Sequence, residues 1–341
     1  MSDESVVIIT HNFMPESGNT SMGDKKVKLS NPHLKEIDSD KLYHIGFASS
    51  DNLKEDFGDV KFVCLGGSSG RMKRFSQMLC EELKVKFNSN ISIEDFTKSD
   101  RFSMYKVGPI ICASHGMGVP SASILVCEMI KMLHYADVTD VTIFRVGTSG
   151  GLGIDAGTVV VTRRALDHKF EPFYEIPILG KTQRFPTGTD DELAKELQDL
   201  CGDDIPVRYG DTMCANDFYE AYDMHMMPNF IEKKFNFLFQ LSAAQARLDG
   251  PFCGYTSEEK MQYLHDAHKA GVLNVEMECT GFTSLCRRAG IRVAIVCVAL
   301  LNRLNGDQVS KGEMYHVYER RPLVLVSRYI CKKLKDSHYS K

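Results

Sequence analysis

From about residue 59 onward, short apolar runs alternate with segments of helical periodicity. That alternation narrows the possible folds more than any other feature of the chain. V-K-F-V-C-L-G-G (60–67) reads as a buried strand, and R-M-K-R-F-S-Q-M-L-C-E-E-L-K-V-K-F (71–87) as the helix after it. V-G-P-I-I-C-A-S (107–114) predicts another strand, followed by a helix that Pro120 opens. D-V-T-I-F-R-V-G (140–147), T-V-V-V-T (158–162), V-L-N-V-E-M-E (272–278) and V-A-I-V-C-V-A-L-L (293–301) are further strands. Thr256 and Glu259 have the spacing of a capping box. A last helix is expected to start near Pro322 and to end in Lys332, Lys333 and Lys335, whose charges suit its C-terminus. Strands apolar throughout, rather than alternating, are covered on both faces. The fold class is therefore α/β, with helices on both sides of a largely buried sheet.

No repeat or linker divides this pattern, so residues 41–341 are expected to form one domain. Residues 1–40 lack periodicity and carry the turn-rich M-P-E-S-G-N-T-S-M-G, which predicts a flexible tail. One stretch is out of character: residues 221–244 hold four of the 19 phenylalanines and three of the 16 methionines, with neither strand alternation nor a helical stripe.

Composition excludes several function classes. With 41 basic and 45 acidic residues the net charge is −4, which argues against nucleic acid as a partner. The 11 cysteines include no C-x-x-C pair, and several sit in apolar runs, as Cys64 and Cys297 do. That usage suits a reducing compartment and offers no zinc spacing. The apolar start V-V-I-I-T is too short and too acidic for a secretory signal, and no stretch is long enough to span a bilayer. A cytoplasmic protein with no membrane partner is expected.

Several strand ends carry chemistry. G-G-S-S-G-R-M (66–72) joins a strand to a helix, where free N–H groups and the helix dipole attract an anion. Arg71 opposes that dipole unless an anion sits beside it. The spacing of Gly66, Gly67 and Gly70 fits neither a Walker A loop nor a dinucleotide fingerprint, which counts against a dehydrogenase. A plain strand–helix turn is the competing reading. Arg145 lies inside an apolar strand that ends in Gly147 and Thr148, and either an oxyanion or an internal carboxylate would satisfy it. Arg101 alone resembles a surface residue. Glu276 and Glu278 flank Met277 at a strand end, suited to a sugar's vicinal hydroxyls, to a metal, or simply to solvent. His115 in S-H-G-M-G is either catalytic or, more commonly, a packed histidine with satisfied nitrogens. In Q-A-R-L-D-G (245–250), extended backbone would project Gln245 and Arg247 to one side, an amide beside a guanidinium that suits a planar heterocycle.

These motifs occur in order and, with M-Y-K-V-G-P-I, S-H-G-M-G-x-P-S, V-T-I-F-R-V-G-T-S-G-G, G-x-T-M-C-x-x-D-F-Y-E and L-L-N-R-L-x-G-D-Q, resemble the animal-type uridine phosphorylases of the nucleoside phosphorylase family. The resemblance runs from about Leu42 to the C-terminus. It implies a three-layer α/β/α subunit with a mixed central sheet and reversible phosphorolysis of uridine to uracil and ribose 1-phosphate. It implies no metal or organic cofactor, phosphate being a co-substrate, and a homodimer with shared sites. It puts phosphate on Gly67, Arg71, Arg101, Arg145 and Thr148, with Arg101 reaching into the neighbour's site. Ribose would meet Met277 and Glu278, with His44 of the partner subunit on the 5′-hydroxyl. Uracil would meet Gln245 and Arg247 with Phe218 near it, and Leu300, Leu301 and Val309 would form an apolar lid side. Arg247, Gln245 and Glu278 would carry catalysis.

The chain departs from the family pattern where 24 residues separate Glu220 from Gln245. Three readings stand. The insert loops out and leaves the site intact; it disturbs the base pocket, leaving a nucleoside-binding homologue with impaired turnover; or it is an untranslated intervening sequence read as protein.

Overall fold

The computed structural model describes residues 25–87, 90–219, 245–309 and 312–337; the segment 221–244 lies outside them. Nine strands form one sheet: β1 (Phe62–Gly66), β2 (Ile93–Asp95), β3 (Met104–Val107), β4 (Ile110–Ser114), β5 (Thr142–Gly151), β6 (Val159–Leu166), β7 (Val207–Cys214), β8 (Val272–Glu276) and β9 (Arg292–Asn302). Their order is β8-β7-β6-β9-β5-β1-β4-β3-β2. The sheet is mixed: β9 runs parallel to β5 but antiparallel to β6. At one end it curls on itself, because β8 also pairs antiparallel with β5, Asn274 opposite Gly151 and Val275 opposite Gly150. This closure brings the chain after β8 against the C-terminal end of β5.

Successive residues of β1 serve opposite cores, which is why its sequence is apolar throughout. Val63 and Leu65 pack with helices α2 (Gly118–Tyr135) and α5 (Cys279–Arg288). Phe62 and Cys64 pack on the other face with α1 (Ser69–Phe87), α3 (Asp191–Gln198) and α6 (Met314–Asp336). The result is the expected α/β/α layering. Helix α4 (Ser257–Lys269) begins with Thr256 and Glu259 in the reciprocal capping box predicted from their spacing.

Three expectations need correction. The run 107–114 is not one strand, because Gly108 (φ +52°) turns the chain between β3 and β4. Helix α6 begins at Met314 and contains Pro322 rather than starting there. The tail expected through residue 40 is ordered from residue 25: Val27 is buried, Lys26 bridges to Thr139, and Asp40 binds Lys131 at 2.6 Å and the Tyr135 hydroxyl at 2.6 Å. Polar anchors of this kind carry no hydrophobic period, so pattern reading passes over them. Among the described residues, no helix is long and apolar enough to cross a membrane.

Candidate active site

The C-terminal ends of β1, β4 and β5 meet where β8 leads into α5. Arg145, on β5, is 4% exposed, and its guanidinium lies along the strand. A Cβ at Gly147 would stand 2.9 Å from Arg145 Nη1, so a glycine is required beside it. Arg145 Nη2 reaches Glu276 at 2.9 Å and donates to Glu278 Oε2, and Nη1 lies 2.7 Å from Cys297 Sγ. The internal carboxylate alternative for Arg145 is met, and among the described residues its Nε has no partner.

The two carboxylates differ in role. Glu276 accepts the N–H groups of Glu278 and Cys279, fixing the first turn of α5. Glu278 turns its Oε1 to the Gly118 N–H at 2.6 Å. Burial pushes the Glu276 carboxyl up, and Arg145 only partly offsets it. Burial acts on Glu278 in the same sense, but Arg145, His115 and the Gly118 N–H together hold it below its ordinary value. Of the two, Glu278 is the one whose charged form its surroundings favour more. Folding also brings Cys214, Glu276 and Cys279 within 4.8 Å of one another, a grouping hidden in the linear spacing. Glu276 is already spent on Arg145 and two amides, which leaves that trio poorly suited to a cation.

His115 is 1% exposed, and among the described residues neither ring nitrogen has a hydrogen-bond partner. It is the packed histidine of the common alternative, but without a geometric hydrogen bond to its ring nitrogens. Burial lowers its pKa to about 4; Glu278 opposes that shift, while Arg145 and Arg71 add to it. The charges of Glu278, Arg145 and Arg71 are thus all felt at one imidazole. Gly67 lies beside this group: a Cβ there would come 3.1 Å from the Gly116 carbonyl. Thr148, the residue after the strand's tight glycine, is half-buried. Arg71 does not stand free, because its Nη2 donates to Glu319 of α6 at 2.6 Å.

The second group surrounds Gln245 and Arg247. The expected strand is absent here, for Ala246 adopts φ +50°, so side-chain alternation does not aim this pair. Arg303 sets the segment instead. It is 1% exposed, with Nη1 3.3 Å from Gln245 Oε1, Nη2 2.7 Å from the Gln245 carbonyl and Nε 2.9 Å from Asp307. Lys260 holds the same Asp307 at 2.7 Å. Arg247 is gripped at two points by Asp249, at 2.8 and 2.6 Å, and lies over the Phe218 ring at 4.5 Å. Gln245 N donates to the Asp217 carbonyl at 3.0 Å, so the two flanks of the 221–244 segment meet.

β5 joins the two groups. A Cβ at Gly150 would lie 2.8 Å from Arg303 Cγ. One strand thus carries the Arg145 guanidinium over Gly147 and the Arg303 stem over Gly150. Met277, Leu300, Leu301 and Val309 are all partly exposed. His44 and Arg101 stand apart. His44 Nδ1 is 2.7 Å from Glu128, Ser99 Oγ donates to the His44 carbonyl, and the Arg101 side chain is exposed. Among the described residues neither joins the Arg145 or Arg247 groups within one subunit. Sequence reasoning missed Arg303, Asp307, Lys260, Asp249 and Glu319. The signal for Arg303 was weaker than for Arg145, since it follows an apolar strand but stands between Asn302 and Leu304.

A mixed α/β/α subunit that sets a buried arginine–carboxylate pair beside an amide–guanidinium pair has the make-up of a nucleoside phosphorylase. Residues 61–330 match the phosphorylase superfamily. The chain is 41% identical over 335 residues to uridine phosphorylase 2 of Mus musculus, covering 97% of each. It is 40% identical to the uridine phosphorylase from Schistosoma mansoni solved in complex with thymine, with a TM-score of 0.77 over 89% of this chain and 99% of that one. It is also 37% identical over 308 residues, 89% of this chain and 95% of the relative, to inactive uridine phosphorylase B of the same organism. The chain belongs to the phosphorylase superfamily, within the animal-type uridine phosphorylases.

Proposed function

We propose that this chain catalyses the reversible phosphorolysis of uridine. Phosphate attacks C1′ as the bond to N1 breaks; the electron pair leaves with uracil, and ribose 1-phosphate forms. The observation that carries this reading is the bridge along β5 between the Arg145–Glu278 pair and the Gln245–Arg247 segment. Arg145, Arg71, Thr148 and the Gly67 backbone receive phosphate, whose dianion faces positive charge developing on the ribose. Glu278 and Met277 take the ribose. Gln245 reads the base edge, and Arg247, held flat by Asp249 and Phe218, stabilises negative charge building on uracil. Each such preorganised donor contributes about 3–4 kcal/mol to barrier lowering, and holding both substrates together adds proximity. No side-chain nucleophile takes part, and the residues themselves call for no metal or organic cofactor.

His44 and Arg101 belong, on this reading, to the partner's site in a homodimer. Their separation from the other groups within one subunit supports that assignment. The enzyme works in the cytoplasm in pyrimidine salvage. The decisive assay measures uracil release from uridine with and without phosphate. Release that requires phosphate and yields ribose 1-phosphate supports the reading; equal release without phosphate refutes it. The relative named inactive makes a second reading concrete, in which the chain binds uridine without turning it over. Calorimetric binding with no product would identify that case.

A further inference from the structure

Glu319 is a charged residue near the site for which the proposed reaction has no use. It lies on the second turn of α6, and its Oε1 accepts a hydrogen bond from Arg71 Nη2 at 2.6 Å. Each of the two side chains is only 12% exposed. Burial raises the Glu319 carboxyl, but Arg71, Tyr315 and His316 together hold it below its ordinary value, so it is a carboxylate at neutral pH. Arg71 stands on the first turn of α1, just after Gly67, where free backbone N–H groups and the helix dipole favour negative charge. The fold thus sets a fixed negative group on a cation that is otherwise placed to meet a mobile anion.

The geometry of the pair points to an exchangeable contact. A lasting Arg–carboxylate brace commonly engages two prongs of the fork. Asp211 holds Arg163 that way, and Asp249 holds Arg247 that way. Glu319 takes one prong of Arg71, and among the described residues the buried Arg71 Nε has no partner. Behind the pair, between α1 and α6, lies a cleft of about 520 Å³ lined by Arg71, Arg74, Glu319 and Arg320 among others. The cleft gives the carboxylate room to move and two further guanidinium groups to move toward.

We propose that Glu319 is a stand-in for phosphate: it holds Arg71 in the empty enzyme, must release it when phosphate arrives, and so sets the enzyme's affinity for phosphate. The inference rests on the reading of Arg71 as a phosphate ligand. Two effects act in the same direction. The carboxylate competes for the guanidinium, and its charge repels the incoming dianion. Removing the charge while keeping the shape lowers the phosphate concentration the enzyme needs.

The test is steady-state phosphorolysis by the full-length protein, with phosphate and uridine varied in turn, for Glu319→Gln and for Arg71→Gln. Glu319→Gln is expected to lower the phosphate KM by about two- to fivefold, the span of a partly exposed ion pair, and to leave the uridine KM within about twofold. Thermal unfolding of each variant separates loss of fold from loss of affinity, and Glu319→Asp, which keeps the charge, should keep the high phosphate KM. An unchanged or raised phosphate KM in Glu319→Gln, with Arg71→Gln raising it strongly, overturns the stand-in role alone. An unchanged phosphate KM in Arg71→Gln instead overturns the assignment of Arg71 beneath it.

Discussion

Arg303 offers the sharpest test of how the base end of the site is held. Its guanidinium is buried and spans three partners: Asp307 at 2.9 Å, the Gln245 carbonyl at 2.7 Å and Gln245 Oε1 at 3.3 Å. Arg303→Met keeps the stem that lies over Gly150 and removes every one of those bonds. Breaking a buried ion pair costs about 3–5 kcal/mol when the surviving charge is orphaned. Asp307 is not orphaned, because Lys260 and the Leu248 N–H remain on it. The lower end, about 3 kcal/mol, is therefore expected. At roughly 2–4 °C per kcal/mol for a chain of this class, melting should fall by about 6–12 °C. Function should suffer selectively. Gln245 and Arg247 lose their anchor while Arg145, Glu278 and Arg71 keep theirs. The uridine KM should rise by about tenfold or more, the equivalent of one charge-assisted hydrogen bond, and the phosphate KM should stay within about twofold. The assay is a differential scan followed by initial rates with each substrate varied against saturating co-substrate. A variant that melts early yet keeps the wild-type uridine KM would refute the claim that Arg303 positions the base-reading segment. Equal rises in both KM values would refute the division of the site into two independently supported halves.

Three further outcomes follow from the same geometry. Arg247→Ala should cut kcat/KM by about 10²–10³, and Arg101→Ala should also inactivate; yet mixed dimers of the two variants should regain activity, because one site in each would be whole, and failure of mixed dimers to turn over uridine would argue that Arg101 does not cross subunits. Removing residues 221–244, so that Glu220 runs into Gln245, should leave a folded enzyme whose uridine KM is no higher than that of the full chain, since the Gln245 N–H already meets the Asp217 carbonyl; loss of the fold or of uracil release would show that the segment supports the site. His115 titrates near 4 in the folded protein and near 6.5 unfolded, so the unfolded chain binds the extra proton between those values; stability is full above about pH 6.5 and falls by up to ~3 kcal/mol on acidification toward pH 4. Denaturant melts across that range should show a shallower slope for His115→Asn, and parallel slopes would contradict a neutral buried imidazole.

The layers of the fold were legible because they follow from repetition. Phe62-Val63-Cys64-Leu65 serves two cores in turn, so its unbroken apolarity told of helices on both faces before any contact was known. The hairpin at Gly108 and the true start of α6 were hidden, since a single glycine inside an apolar run and a proline tolerated inside a helix both break rules that hold only on average. In the site, arginines in apolar surroundings announced themselves: Arg145 could not be buried without partners, and it has them. What each arginine meets was not legible, because partners come from strands and helices far along the chain. Glu319 is 248 residues from Arg71. The Gln245–Arg247 pair shows the limit most clearly. The inference from extended backbone was sound for a strand, but Ala246 sits at φ +50°, and it is Arg303, 58 residues on, that holds Gln245 in place. The chemistry of a residue can be read where it stands in the sequence, but its aim is set by a neighbour distant in the chain, here an arginine that the pairing of β9 with β5 carries to this end of the sheet.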